Sequence, residues 1–463
     1  MKFHRPPTDS VLIEFKGRCN PLAEGDAGLD PFFAALEAHA GPWMPNKVEN
    51  WRRNYTRAAA VKTLKKGVTA LGNLGLTLLR ADPFVEMTVT ILHLPWPIQF
   101  SVNVCIYPLS LMESSERATD WSRGFVDLLR AWSSAYPVTY AHVHGNADEN
   151  LTDFWLDGFH SSQGPEVAPR ERLKGVFWLN VLGQPWVDAL GRKQVLSTPA
   201  HHLEELPNGA VLFLTRPTLA DWRSEEARKA QAWAMVHLRP ELDFDSVLKE
   251  LIERSARFEP VEPHFDTDSA PLFKRVVEFF SAADQQAKIA ELNTYQPPEV
   301  DEWLPANAAP LSDVPDPAAA TASYRDWADV LSILLHHEIT DSFKALPEAL
   351  TDLDVRLWQE KFPESYEREK IDAKLFPSVG AYLGEMLVRQ LGGRWVPRRN
   401  VLESQVIVGD RAWLPFLRTR RYLQSTRALL DYSLTKFYRA AARYAQHAGG
   451  GPPSPSPGVV RGS

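Results

Sequence analysis

Gly175-Val176-Phe177-Trp178-Leu179-Asn180-Val181-Leu182-Gly183 runs into Pro185-Trp186-Val187-Asp188-Ala189-Leu190-Gly191, and then into Leu206-Pro207-Asn208-Gly209-Ala210-Val211-Leu212-Phe213. The first piece is an apolar run rich in β-branched and aromatic residues, which reads as a strand over Val176 to Leu182. Pro185 opens a short helix, and Gly183 and Gly191 close elements where a left-handed residue is expected. Asn208-Gly209 supplies the positive φ of a tight turn, so the third piece reads as a hairpin.

Working outward, Val11 to Phe15, Met87 to Leu92 and Ile98 to Ile106 have the same strand texture, which makes four strands in the expected sheet. Pro95-Trp96-Pro97 lies between two of them and reads as a tight connection, because proline cannot donate to a ladder. Asp30-Pro31 reads as an N-cap followed by proline at the first helical position. Trp121, Phe125, Leu128, Leu129, Trp132 and Tyr136 recur at helical spacing and form a stripe expected to pack on the sheet. The fold class that follows is α+β: an N-terminal mixed domain over 1–256 with a mainly antiparallel sheet, and a second, mainly helical α+β domain.

The segment 257–323 holds prolines at 260, 263, 271, 297, 298, 305, 310, 315 and 317 around a helix near Phe273 to Leu292. Together with Ala318-Ala319-Ala320 it reads as a connection. The second domain is expected over 324–448, with helices from Trp327 to His337, Ser378 to Leu391 and Tyr422 to Tyr444. A hairpin of Gln405–Val408 and Ala412–Phe416 closes on Gly409-Asp410, and Gly392-Gly393 stops a helix ahead of a strand at Trp395. Glu385, within that helix, is expected on its surface, with a buried polar group as the alternative. The tail 449–463 is Gly, Pro and Ser with almost no apolar content, the composition of a disordered segment.

Composition narrows the function classes. No apolar run reaches the roughly 20 residues that span a bilayer, and Met1-Lys2-Phe3-His4-Arg5-Pro6-Pro7 lacks a secretion signal, so a cytoplasmic protein is expected with no membrane partner. Two cysteines, Cys19 and Cys105, exclude both a disulfide framework and an all-cysteine zinc site. A formal charge of −7 argues against sequence-independent nucleic-acid binding over the whole surface and is compatible with a basic protein partner.

The chain has no Gly-x-Gly-x-x-Gly, no phosphate loop ending in Gly-Lys-Ser or Gly-Lys-Thr, and no Gly-x-Ser-x-Gly elbow, so no catalytic residue, cofactor or metal is assigned. His142 and His144 share a face if they lie on a strand, with Asp148 and Glu149 near; a metal-assisted enzyme with dispersed residues is the alternative they suggest. His336-His337-Glu338 lacks the second histidine four residues on that a zinc-protease helix requires. Asp148, Glu149, Asp153 and Asp157 share one stretch with Phe154, Trp155 and Phe159, a mixture suited to an interface in which aromatics anchor and carboxylates steer. Asp148, Glu149, Asp153, Trp155 and Asp157 are therefore the candidate binding residues. Arg418, Arg420, Arg421, Arg427, Lys436, Arg439 and Arg443 line the last helix, a pattern compatible with a nucleic-acid-binding regulator but more often a solvated face.

The strand ending in Leu182-Gly183, the short helix ending in Leu190-Gly191 and the strand after Asn208-Gly209 together resemble the immunity protein 52 family of bacterial polymorphic toxin and type VI secretion systems. The helix carrying Asp120-Trp121-Ser122 and Phe125-Val126, and the Tyr136-Pro137 step, fit the same resemblance, which covers about residues 10 to 240. It implies a protein that binds a cognate toxin, typically a nuclease of the restriction-endonuclease fold, and blocks it without catalysis. Residues 324–448 depart from that family.

Overall fold

The computed structural model describes residues 9–23, 25–49, 53–67, 73–92, 98–112, 115–152, 173–335, 346–359, 371–425 and 428–447. The chain divides into two compact units: Met1–Pro260 with Phe280–Ala287, and Val261–Phe279 with Lys288–Ser463. Both are α+β. The Pro95-Trp96-Pro97 connection, His336-His337-Glu338, Arg427 and the tail 449–463 lie outside the described residues.

The first unit is built on a ten-stranded sheet. Its strands in chain order are β1 (Val11–Gly17), β2 (Lys47–Val48), β3 (Arg53–Asn54), β4 (Leu74–Ala81), β5 (Phe84–Leu92), β6 (Gln99–Tyr107), β7 (Val138–Gly145), β8 (Leu179–Leu182), β9 (His202–Glu205) and β10 (Val211–Leu214). They lie in the order β3-β2-β4-β5-β6-β1-β7-β8-β10-β9, and every pair is antiparallel. Among the described residues the sheet thus has, beyond the four expected strands and the expected hairpin β9–β10, four more: β2, β3, β4 and β7. β4 escapes a periodicity reading because its leucines are as common in helices as in strands; pairing with β5 along its whole length holds it extended.

Val11, Ile13 and Phe15 alternate with Leu12, Glu14 and Lys16, so β1 sends its large apolar residues to one face. Helices Asp30–His39 and Ser115–Ala135 cover that face. The aromatic stripe of the second helix is core, as its spacing predicts: Trp132 stacks on Phe32 at 5.0 Å and its indole N–H donates to the Phe32 carbonyl at 3.1 Å. The helix at Asp30 begins without a side-chain cap; a 3-10 turn, Asp26–Leu29, leads straight into it. On the opposite face, near β7, β8 and β10, Phe177, Trp186, Phe213 and Met235 form a second, smaller core.

Gly183 is not left-handed; its φ is −72°. Glycine is required there because an added Cβ would lie 1.8 Å from the Val138 carbonyl oxygen, where β8 ends against β7. Gly191 and Gly209, at φ 94° and 83°, are the left-handed positions. The hairpin forms around Gly209 as expected, with β9 and β10 paired from Glu205–Val211 to His202–Leu214.

The second unit packs helices on a four-stranded antiparallel sheet of β11 (Trp303–Pro305), β12 (Arg394–Val396), β13 (Gln405–Val408) and β14 (Arg411–Trp413), in the order β11-β14-β13-β12. The segment 257–323 carries two helices, Ala270–Val277 and Ala282–Thr294, plus β11, and is divided between the units. A third helix, Pro317–Leu335, starts inside the alanine-rich stretch read as connection. Asp316 Oδ1 accepts from the Ala318 and Ala319 amides at 3.0 Å, Pro317 takes the first turn, and alanine is the strongest helix former. The long helix expected from Tyr422 is instead three pieces, Pro415–Gln424, Ala428–Asp431 and Leu434–His447.

The basic residues of this region differ in exposure: Arg418 and Lys436 are buried, whereas the side chains of Arg421 and Arg443 are 36% and 45% exposed. Arg418 is buried on Glu302 and the Ser433 carbonyl, Arg421 pairs with Asp301 and Glu302, and Arg443 pairs with Asp268 at 2.8 Å. Glu385 is buried too, accepting from the Trp395 indole N–H at 2.9 Å, which overturns its surface placement. No helix among the described residues is long and apolar enough to cross a membrane.

Gly183→Ala is expected to lower stability by about 3 kcal/mol, since the clash is with backbone that cannot turn away. Thermal unfolding should show a fall in Tm of roughly 6–12 °C. Gln184→Ala, at an exposed neighbour, should stay within about 0.5 kcal/mol. An unchanged Tm for Gly183→Ala contradicts this packing of β7 against β8.

Candidate functional site

β7 places His142 and His144 two residues apart, so both leave the same face of the sheet, and both are fully buried. The chain then turns into a single helical turn, Asn146–Glu149, that brings Asp148 back under His144. His144 Nε2 lies 2.6 Å from Asp148 Oδ2. Arg228, from the helix Glu225–Leu238, grips the same carboxylate with both terminal nitrogens: Nη1 donates to Oδ2 at 2.7 Å and Nη2 to Oδ1 at 3.0 Å. This is the two-pronged geometry that makes arginine–carboxylate pairs the strongest of their kind.

The rest of the guanidinium is satisfied as well. Arg228 Nε donates to Ser255 Oγ at 2.7 Å, on the helix Phe244–Ala256, and Nη1 also reaches Gln231 Oε1 at 3.0 Å. Gln231 in turn donates to the Val176 carbonyl at 3.0 Å. Arg254 stands 3.7 Å from Asp148 on the side of Oδ1. One carboxylate therefore joins a strand end, two helices and the chain leading into β8. Aromatic walls close the group off: His142 stacks on Phe177 at 4.4 Å, and the Trp222 ring lies 5.6 Å from His144 and 5.1 Å from the Arg228 guanidinium carbon.

The electrostatics follow from burial and pairing. Burial alone would raise the Asp148 carboxyl, but His144 and Arg228 override it and hold the group well below the usual carboxylate range. Burial pushes both histidines down, and in His144 it outweighs the pull of Asp148. Glu149 has no such compensation. Burial, aided by the nearby charge of Glu14, lifts it to about 7.

Two of the five candidate binding residues are thus corrected. Asp148 and Glu149 are 1% and 6% exposed, so neither carboxylate faces solvent to steer a partner. The acids turn inward because buried Arg228 and His144 offer Asp148 more than water does, and the one-turn helix carries Glu149 with it. Asp153, Trp155 and Asp157 lie outside the described residues. Arg228, Gln231 and Arg254 were missed by the sequence reading; an arginine 80 positions from its carboxylate, on an alanine-rich helix, gives no local signal. Among the described residues no group of three or more His, Cys, Asp or Glu side chains is arranged to hold a metal ion.

No family model matches the chain, and no curated protein matches it. Among solved structures it is similar to the Pseudomonas aeruginosa T6SS protein PA0821, at 13% identity and a TM-score of 0.32, covering 56% of this chain and 90% of that one.

Glu149 gives a pH signature with a definite sign. Its folded carboxyl holds a proton up to about pH 7, against an ordinary value of 4.5, so its ionisation weakens the fold at high pH and this penalty fades as pH falls toward 4.5. Glu149→Gln removes the penalty. We expect it to stabilise the protein by about 1–3 kcal/mol at pH 8 and by almost nothing at pH 4.5, read from denaturant midpoints. An equal effect at both pH values contradicts the buried, proton-holding Glu149.

Proposed function

We propose that this protein is an immunity protein: it binds and neutralises a cognate toxin, of nuclease type, from a polymorphic toxin or type VI secretion system, in the cytoplasm and without catalysing a reaction. The observation that supports the non-catalytic part is the burial and pairing of Asp148. A general acid or base must reach a substrate proton within hydrogen-bonding distance, and this carboxylate, held by Arg228 and His144 behind Trp222 and Phe177, is 1% exposed. The resemblance carried by Gly175–Gly191 and Leu206–Phe213 supplies the toxin partner.

Under this reading the binding face is built from residues other than the buried network, and Asp153, Trp155 and Asp157 stay as the candidates on the acidic, aromatic stretch. Trp155 would anchor and the two acids would steer a basic partner.

The test is co-expression with the toxin encoded beside this gene. Cells carrying both proteins should survive and the two should co-purify, while Asp153→Lys with Asp157→Lys should slow association at low salt and weaken protection with Tm unchanged. Equal killing with and without this protein, and no co-purification, would refute the immunity function.

A further inference from the structure

Beside the buried network, the first unit has an open cleft. A cavity of about 740 Å³ opens there, lined among others by Asp9, Leu109, Trp222, Arg223, Phe258 and Glu259. That volume is within the range that holds a drug-sized ligand or a few side chains. Trp222 and Phe258 pack edge to face at 5.0 Å and are each 7% exposed, which gives the cavity a firm apolar wall.

The charges around this wall are unequal. Three carboxylates line the cavity, Asp9, Asp221 and Glu259, against one guanidinium, Arg223. Arg223 donates to the Phe258 carbonyl and keeps its charge; burial raises the Asp9 carboxyl to about 6 and that charge acts against it, and the lining still holds more carboxylates than guanidinium groups. Arg228, on the far side of Trp222, is neutralised by Asp148. Asp9 sits just before β1, half-buried, with Oδ1 accepting from the Ser10 amide at 2.9 Å. An apolar wall ending in a surplus of carboxylates matches a long basic side chain, whose methylenes lie on apolar surface while the charged head reaches an acid.

We propose that this cleft receives a lysine or arginine side chain from a basic loop of the protein partner, with the cation at Asp9 and the stem against Trp222 and Phe258. This deepens the binding function above and rests on it. It also assigns a docking point to residues other than Asp148, Glu149 and the acidic stretch of the sequence around Trp155.

The probe is N-acetyl-arginine methylamide, compared with its uncharged citrulline counterpart, on the full chain by saturation-transfer NMR. We expect the arginine compound to give at least a threefold stronger signal. Asp9→Asn keeps the acceptor for Ser10 but removes the charge, and Ser110→Trp, at an exposed residue of the lining, obstructs the cavity; each should reduce the arginine signal to the citrulline level with Tm unchanged. Equal signals from the two compounds, or an arginine signal untouched by both variants, overturn the proposal whatever the co-expression result. Killing that proceeds unchecked in co-expression, with the selective arginine signal intact, removes the toxin reading and leaves the cleft as a site for basic groups.

Discussion

The bridge between Asp148 and Arg228 is the constraint on which the first unit depends. An arginine with no exposed surface is tolerable only when its nitrogens are paired, and here all three are: with Asp148 after β7, with Ser255 on the helix Phe244–Ala256, and with Gln231 on its own helix, which in turn donates to the Val176 carbonyl. Their mutual satisfaction fixes the helices Glu225–Leu238 and Phe244–Ala256 against the end of the sheet. The same docking puts Trp222 and Phe258 where they wall the cavity. Polar chemistry in the interior thereby sets the shape of a surface.

This division of labour bears on function. Histidines and carboxylates gathered at the end of a strand resemble catalytic equipment; here all four are buried, and their protonation is set inside the core. Burial lowers both imidazoles, Arg228 and His144 hold Asp148 below the usual carboxylate range, and Glu149 is raised to about 7. Each departs from its ordinary value for a reason internal to the core. Beside them lies a cleft walled by Trp222 and Phe258 and lined by three carboxylates against one guanidinium.

Much of the fold was legible from the chain itself. Alternation in β1, the helical stripe from Trp121 to Tyr136, Asn208-Gly209 and Gly409-Asp410 each mark local conformations that tertiary packing did not need to override. The failures have a common cause. Leu74–Ala81 is a strand because β5 lies beside it, Pro317–Ala320 is helix because Asp316 caps it, and Gly183 is glycine because Val138 crowds it. Of the candidate site, the sequence showed the acids and the histidines but not their direction, since what turns Asp148 inward is Arg228, 80 residues away.

Replacing Asp148 and Arg228 by apolar residues separates a structural role of this network from a part in binding. Asp148→Leu and Arg228→Met alone should each cost about 3–5 kcal/mol by stranding a buried charge, and the double variant should recover at least half of that loss. Measured beside the neighbouring toxin, the folded double variant should protect cells as well as the unaltered protein. A double variant that unfolds at the same temperature as the unaltered protein yet fails to protect would show that Asp148 and Arg228 take part in function themselves, and would contradict the account.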